Sequence, residues 1–460
     1  MHTLDITIEN LAKVEGSVSI EIKVSNGKVE YTRFKAVDYK RFFTQAMEGK
    51  PIAAIPQLLA RICGTCSNAH ILCAIEACEH ALGIQPSEQT MLLRYLTSYG
   101  LMIRDHALHL YLFVMPDIYG KDNFLDFDEN KPEEHQLLHD AFDMKAAGNF
   151  LSTLIAGRSV HALYPTIGGF LHFPEKEGVK EAIKKLEEIR PAVLRLIKIF
   201  EELPWRLDRK TNYMALVPER FGFLNGLIKS SNGEVITEGN FRSHLEHIVL
   251  PYSQASAYKH EQESYMVGAL ARINVAKDLL HPRTKESAKT ALAIFPSTNV
   301  YHNNLAQAIE ILHSVDDAIE ILSGREFVPE PVITAGARPH TNPTTEQTNQ
   351  NKFKPQGDLA DNTDNKKSTD IKIGVGVIEA PRGTLYHKVE LGSDGIVKRG
   401  EVIVPTGQNQ VNMEEDIARL VEESLPTKSK EEIQFEIEKL IRAYDPCISC
   451  ASHFLKIKWG

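Results

Sequence analysis

Four of the six cysteines in this 460-residue chain stand in two Cys-x-x-Cys pairs near its opposite ends. Cys63 and Cys66 lie in "RICGTCSNAH", Cys447 and Cys450 in "DPCISCASH". A two-residue gap lets both sulfurs of a pair reach one ion. Thiolate is a soft ligand, and four thiolates select zinc, nickel, copper(I) or an iron–sulfur cluster. A structural zinc site of four cysteines is the plainest reading of such spacing, and a redox Cys-x-x-Cys pair is another. The flanks weaken the zinc reading. Zinc knuckles sit in glycine-rich loops of small domains, whereas here one pair opens a long helical pattern and the other closes the chain. Each pair is followed by a histidine, His70 or His453, that four thiolates leave unneeded as a zinc ligand.

So few cysteines argue for thiols kept reduced rather than for a secreted disulfide scaffold. Hydrophobic residues make up 43% of the chain and charged residues 25%, the balance of a soluble globular protein. A formal net charge of −9 does not favour nucleic acid or an anionic membrane surface. No apolar run approaches the roughly 18 residues needed to span a bilayer. The start, "MHTLDITIEN", lacks the basic and apolar regions of a signal peptide. A cytoplasmic protein is expected, with membrane association only through partners.

The pattern along the chain predicts a helix-rich α+β protein of several lobes, with a long-helix core and peripheral β-hairpins. Residues 1–50 read as a β-hairpin region, with Asn26-Gly27 as the turn between alternating strands. Residues 51–330 read as the helical core carrying the first cysteine pair. Apolar residues recur there at helical spacing over 56–83, 88–115, 134–156, 179–202, 243–280 and 302–324. Pro56 and Ser87 suit helix starts, and Gly324 suits a helix end. Residues 331–371 contain a polar stretch without a core pattern, read as a surface insertion over 342–370. Its "DLADNTDN" lacks the glycine and distal glutamate of a calcium loop. Residues 372–460 read as a C-terminal α+β region with the second pair. "GVGVIE" there is a strand and not a dinucleotide fingerprint, because the third glycine and following helix are missing. A hairpin is expected near 385–404 with "LGSDG" as its turn, then two short helices. Ser429 with Glu432 forms a capping box for the last one, which Pro446 stops.

The two cysteine segments together resemble the large, catalytic subunit of nickel–iron hydrogenases. The signatures of that family, R-x-C-G-x-C-x-x-x-H and D-P-C-x-x-C-x-x-H, are both complete here, and "EAPRG" and "VPT" precede the second. The resemblance runs end to end apart from the 342–370 insertion. "HALHLYLFVMPD", "APRG" and the short tail look more like the soluble cofactor-coupled hydrogenases and sulfhydrogenases than the membrane-bound uptake enzymes.

The resemblance implies that Cys63, Cys66, Cys447 and Cys450 bind nickel. Cys66 and Cys450 would also bridge to an iron carrying carbon monoxide and two cyanides. Such a centre splits dihydrogen heterolytically and reversibly; the metal takes the hydride, and Cys447 and then Glu15 of "KVEGS" take the proton. His70 would hydrogen-bond the bridging thiolate of Cys450. Arg382, with Pro381 beside it, would stand over the open metal position, held by Asp105 and Asp445, and Thr406 would donate to a cyanide. Cys73 and Cys78 match no ligand and read as small buried hydrophobes, and His106 and His109 as structural or hydrogen-bonding. Four cysteines at one centre leave only Cys73 and Cys78, too few for an iron–sulfur cluster. The implied partner is an iron–sulfur small subunit, with further flavin or pyridine-nucleotide electron-transfer subunits; the "FLKIKWG" tail is either an extension removed by a maturation endopeptidase or a part that the enzyme keeps.

The chain departs from the family pattern at three places. Lys13 replaces the usual arginine before the relay glutamate, keeping charge but losing bidentate pairing. Thr65 stands where valine is common, at the inner end of the gas path. Thr44 replaces the glutamate that, with His453, holds a magnesium or iron ion in the family; Glu48, one turn on, is the available substitute. The alternative to a hydrogenase is a non-catalytic scaffold with a structural four-cysteine zinc site.

Overall fold

The computed structural model describes residues 4–9, 11–37, 42–335 and 371–452. The 342–370 insertion, His453 and the "FLKIKWG" tail lie outside them. Strands β1 (Leu4–Ile8), β2 (Val18–Ser25) and β3 (Lys28–Ala36) form an antiparallel sheet in that order. The β2–β3 turn is Asn26-Gly27, both with positive φ (52° and 77°), the left-handed geometry that this dipeptide tolerates best.

Four long helices follow: α1 (Ser67–Leu82), α2 (Glu88–Ala107), α3 (Pro132–Ala156) and α4 (Lys176–Glu201). The Ser87 hydroxyl caps α2 by accepting from Thr90 N at 3.0 Å. Helices α2 and α3 pack closely at Gly100 and Gly148. A Cβ on Gly148 would stand 2.7 Å from Arg104 N, so only glycine permits that approach. The predicted 56–83 helix is interrupted. A short helix (Ile55–Leu59) and a 3-10 turn (Ala60–Ile62) lead to extended Cys63 (φ −140°, ψ 150°), and α1 starts only after Cys66. The apolar spacing runs through this break because both segments bury the same side. Helix α2 likewise passes into a π-helical stretch, Leu108–Val114.

The prediction of helix over 243–280 is wrong for most of its length. Strands β4 (Asn212–Val217), β5 (Leu227–Ser230) and β6 (Val235–Ile236) precede a β7 (Glu246–Ile248) and β8 (Ala257–Lys259) hairpin, then β9 (Tyr265–Met266). Only α5 (Ala269–Ala276) is α-helical in the span, extended by the 3-10 turn Lys277–Leu279. Pro251 and the serines at 253 and 256 disfavour a helix. The apolar residues instead fill a second small core around Leu245, Tyr258 and Tyr265. Helix α6 (His302–Gly324) matches its predicted span.

At the C-terminal end β10 (Lys372–Ala380), β11 (Gly383–Leu391) and β12 (Val397–Ile403) form an antiparallel sheet. Strand β10 contains "GVGVIE" and lies against α1. A side chain on Gly374 or Gly376 would overlap the Ala77 and Cys73 carbonyls, so these glycines serve strand-on-helix contact. Helices α7 (Pro405–Ser424) and α8 (Lys430–Tyr444) run 20 and 15 residues, longer than expected. The Ser429–Glu432 capping box is formed in both directions. Helix α8 ends at Asp445, which is left-handed (φ 51°, ψ 56°) and turns the chain toward Cys447. Ile448 N then bonds to the Glu15 carbonyl at 2.9 Å, so the two ends of the chain meet.

Candidate metal centre

The four sulfurs of Cys63, Cys66, Cys447 and Cys450 converge within 4.8 Å of one another, all buried. Cys63 is 3.6 Å from Cys447, Cys66 3.2 Å from Cys450, and Cys447 3.1 Å from Cys450. None is in a disulfide. Cys66 stands just before the first turn of α1 and Cys447 just before a short helix, Ile448–Ala451. Hydrogen bonds from Cys447 and its neighbours pull the Cys63 thiol down, while burial pushes Cys447 and Cys450 up. The cluster therefore shares protons, and a bound dication is what lets all four sulfurs ionise together.

Beside Cys66, Cys447 and Cys450 lies a small cavity walled by His70, Ala380, Pro381, Arg382, Leu385, Pro405 and Thr406. Arg382 enters it fully buried. Its Nη1 donates to Asp105 Oδ1 at 2.9 Å, and its Nη2 pairs with Asp445 Oδ1 at 3.0 Å without hydrogen-bond alignment. Arg382 Nε has no hydrogen-bond partner among the described residues. The cavity thus holds donor capacity that the protein leaves unspent, and this fits a group with acceptor atoms bound next to the sulfurs. Thr406 Oγ1 accepts from Cys447 N at 2.9 Å, leaving its own hydroxyl proton to donate.

His70 reaches Cys450 Sγ through Nε2 at 3.5 Å, and its Nδ1 is 3.2 Å from His387 Nε2. Burial holds His70 at a pKa of about 4 and pushes His387 well down, so both rings are neutral. One arrangement then satisfies every N–H. His387 Nε2 donates to His70 Nδ1, and His70 Nε2 donates to Cys450. The unpartnered His387 Nδ1 is a bare acceptor, the cheaper atom to leave alone.

Glu15 approaches from the opposite side. Its Oε2 is 3.1 Å from Cys447 Sγ and accepts from Ser449 N at 3.0 Å; its Oε1 accepts from the Ser449 hydroxyl. Glu15 is half-buried, so its carboxylate reaches both the Cys447 sulfur and solvent. Lys13 pairs with Asp117, which also holds Arg442 Nε. Thr65 Oγ1 lies 3.3 Å from Cys63 Sγ, and its carbonyl is fixed by Arg104 Nη2 at 2.7 Å.

Several supporting residues carried no signal in the sequence. Arg272 is fully buried and binds Glu310, Glu379 and the carbonyls of Ala380 and Pro381, which fixes the turn presenting Arg382. His106 bonds to Glu310 at 3.0 Å, and Gln307 donates to Asp445 Oδ2 at 3.0 Å while contacting His109. Only a lone arginine in the middle of an apolar stretch hinted at such a network. Cys73 and Cys78 are buried with carbonyl partners, outside the sulfur cluster. Thr44 lies on a short helix (Phe43–Met47) and Glu48 is its exposed cap. The third member of that expected accessory site, His453, is outside the described residues.

Comparison with known proteins is consistent across sequence and fold. The profile of the nickel-dependent hydrogenase family matches residues 41–163 and 229–453. The alpha chain of sulfhydrogenase 1 from Pyrococcus furiosus is 30% identical over 99% of this chain and 99% of its own length. An F420-non-reducing hydrogenase subunit from Methanothermobacter thermautotrophicus is 28% identical over 97% of this chain and 94% of its own. Among solved structures, an NAD+-reducing [NiFe]-hydrogenase in the H2-reduced state superimposes with a TM-score of 0.81 at 24% identity, covering 98% of this chain and 100% of that one.

Proposed function

The chain belongs to the nickel-dependent hydrogenases, and on that premise we propose that it is the catalytic subunit that cleaves dihydrogen reversibly into protons and electrons. The observation that carries the reading is the pairing of four buried sulfurs with an adjoining cavity into which Arg382 brings an unpartnered donor. The four cysteines would hold nickel, Cys66 and Cys450 would also hold an iron carrying carbon monoxide and cyanide, and Arg382 and Thr406 would offer donors to those acceptors. When bound, this centre supplies the Lewis-acid and redox chemistry for heterolytic cleavage.

The remaining work falls to the side chains. Arg382 carries a permanent charge over the cavity, held at a fixed angle by Asp105 and Asp445, and donates to acceptors there. Thr406 donates from the other wall. His70 donates to the Cys450 sulfur and steadies its charge. Cys447 takes the proton on its sulfur, and Glu15, 3.1 Å away and half-exposed, carries it outward. Pro381, Pro405, Ala380 and Leu385 keep the cavity apolar and exclude water.

Electrons need an iron–sulfur small subunit, because the two remaining cysteines, Cys73 and Cys78 on α1, are too few to hold a cluster and are buried against carbonyls. The named relatives are themselves subunits, and an NAD+-reducing enzyme is among the structural neighbours. This supports further flavin or pyridine-nucleotide modules. A maturation endopeptidase cutting after His453 belongs to the same reading, and the intact mass of active enzyme tests it. Among the described residues no helix is long and apolar enough to cross a membrane, and reduced thiols support a cytoplasmic location. An accessory magnesium or iron near His453 would lack the usual carboxylate at Thr44 and would bind weakly, through Glu48 if at all.

Metal analysis of the purified complex tests the reading. Nickel in a one-to-one ratio to this chain, with infrared bands of metal-bound carbon monoxide and cyanide, is expected. Zinc alone on the four cysteines would replace the enzyme with the scaffold alternative.

A further inference from the structure

Far from the cysteines in sequence, the lobe spanning residues 227–266 is thinly built. Its strands β5 to β9 are two to four residues long. Its apolar interior belongs to the small second core, with Ile236, Phe241, Leu245 and Tyr258 among its members. A lobe with so little ladder and core gains most from a cross-link, and it contains no cysteine.

Three metal-ligating side chains meet there. Glu234 comes from the β5–β6 turn, His244 follows the 3-10 turn Glu238–Ser243, and His260 follows β8; their ligand atoms all lie within 4.8 Å of one another. His260 is 4% exposed, and its Nδ1 donates to the His244 carbonyl at 2.9 Å. Metal-bound histidines are oriented in this way, the second ring nitrogen tied to a carbonyl. His260 Nε2 lies 2.6 Å from Glu234 Oε2, the distance of a shared proton, so both atoms already point at one spot. A proton would join these two groups and nothing more. The His244 ring stacks on His260 with centroids 5.8 Å apart and 29° between planes, and hydrogen bonding gives its nitrogens no protein partner among the described residues. A metal ion would engage all three groups at once.

We propose that Glu234, His244 and His260 form a second, non-catalytic metal site that takes a divalent ion of the zinc class and clamps this lobe. Two imidazoles and a carboxylate are the donor set that zinc accepts, and softer or harder ions suit it less well. Glu234 is 32% exposed on its side chain, so the fourth position opens to water. A small movement of Glu234 away from His260 admits the ion.

The test uses the assembled, nickel- and iron-loaded enzyme, whose cysteines are already filled. Zn(II) alone is added, excess is removed by gel filtration, and the retained metal is counted. The zinc X-ray absorption edge then reports the ligands. One further zinc per chain with two imidazoles and no sulfur is expected, together with a higher thermal midpoint. His244→Ala removes a ring that makes no hydrogen bond, so the fold should persist while zinc affinity falls roughly tenfold or more. A zinc edge with sulfur ligands would place the ion on the cysteines and count against the hydrogenase reading, not against this site. Absence of retained zinc, or equal retention by wild type and His244→Ala, would reduce the group to a Glu234–His260 ion pair and overturn the proposal.

Discussion

Two groups compete for the Glu15 carboxylate, the Cys447 sulfur and the Ser449 hydroxyl and amide. The serine bonds hold the carboxylate in place whichever protonation state it is in, leaving Oε2 available to the thiol. Glu15→Gln keeps that shape but cannot cycle a proton. It should retain nickel and iron, lose turnover by roughly 10²-fold, and lose exchange of dihydrogen with solvent deuterium. Near-normal exchange measured by mass spectrometry would send the proton by another route. Thr65 offers a second test. A metal-bound Cys63 thiolate has no proton, so the hydroxyl 3.3 Å away must be the donor. Thr65→Val keeps the branched shape and removes that donor, which leaves more charge on sulfur and should move the nickel potential to more negative values. A redox titration with unchanged midpoints would show that the hydroxyl does not reach the sulfur electronically. The cysteine pairs stand out by their short spacing, whereas Glu15 and Arg382 come into view only through the family resemblance. His387, Ser449, Arg272 and Gln307 are not legible in the sequence, because each becomes relevant only through a contact made across the fold.

Helix α1 and strand β10 show the same division at the level of elements. The helix was legible from its apolar spacing, and the strand from its alternation with glycine. Their contact was not, although it carries the cavity wall from Ala380 to Arg382. The two glycines that permit it carry no sign of what lies opposite. Gly376→Ala would force a methyl into the Cys73 carbonyl and push β10 off α1. Overpacking of this kind costs about 1–3 kcal/mol, and here the displaced strand also shifts the turn at Arg382. The variant should show a lower thermal midpoint and reduced nickel content together. A normal midpoint with full nickel would mean that the sheet yields elsewhere. The misreading of 243–280 has the opposite cause. Its apolar residues recur at helical spacing by coincidence and are buried in a small β-lobe, where tertiary packing overrides local pattern.

On the scale of the whole molecule, the metal centre closes the chain on itself. Cys63 and Cys66 precede α1, Cys447 and Cys450 follow α8, and the Glu15 carbonyl bonds to Ile448 N. Binding free energy at such a site is also folding free energy, so the loaded chain should unfold at a higher temperature than the metal-free chain. The α+β class and the meeting of remote cysteine pairs were within reach of the sequence, because ligand chemistry demands that the pairs converge. The β-lobe between residues 227 and 266 was not, since the apolar spacing from 243 onward mimics a helix and outweighed the contrary signal of Pro251, Ser253 and Ser256. On this reading the four sulfurs carry a centre that splits dihydrogen. The most direct measurement is deuterium gas over the assembled complex in ordinary water, with nickel and iron counted in the same sample and in Cys447→Ser. Wild type should hold both metals and release HD and H2, whereas Cys447→Ser, with a hard hydroxyl in place of a soft thiolate, should lose nickel and release neither. Full nickel and normal exchange in Cys447→Ser, or a metal-replete wild type that exchanges nothing, would contradict it.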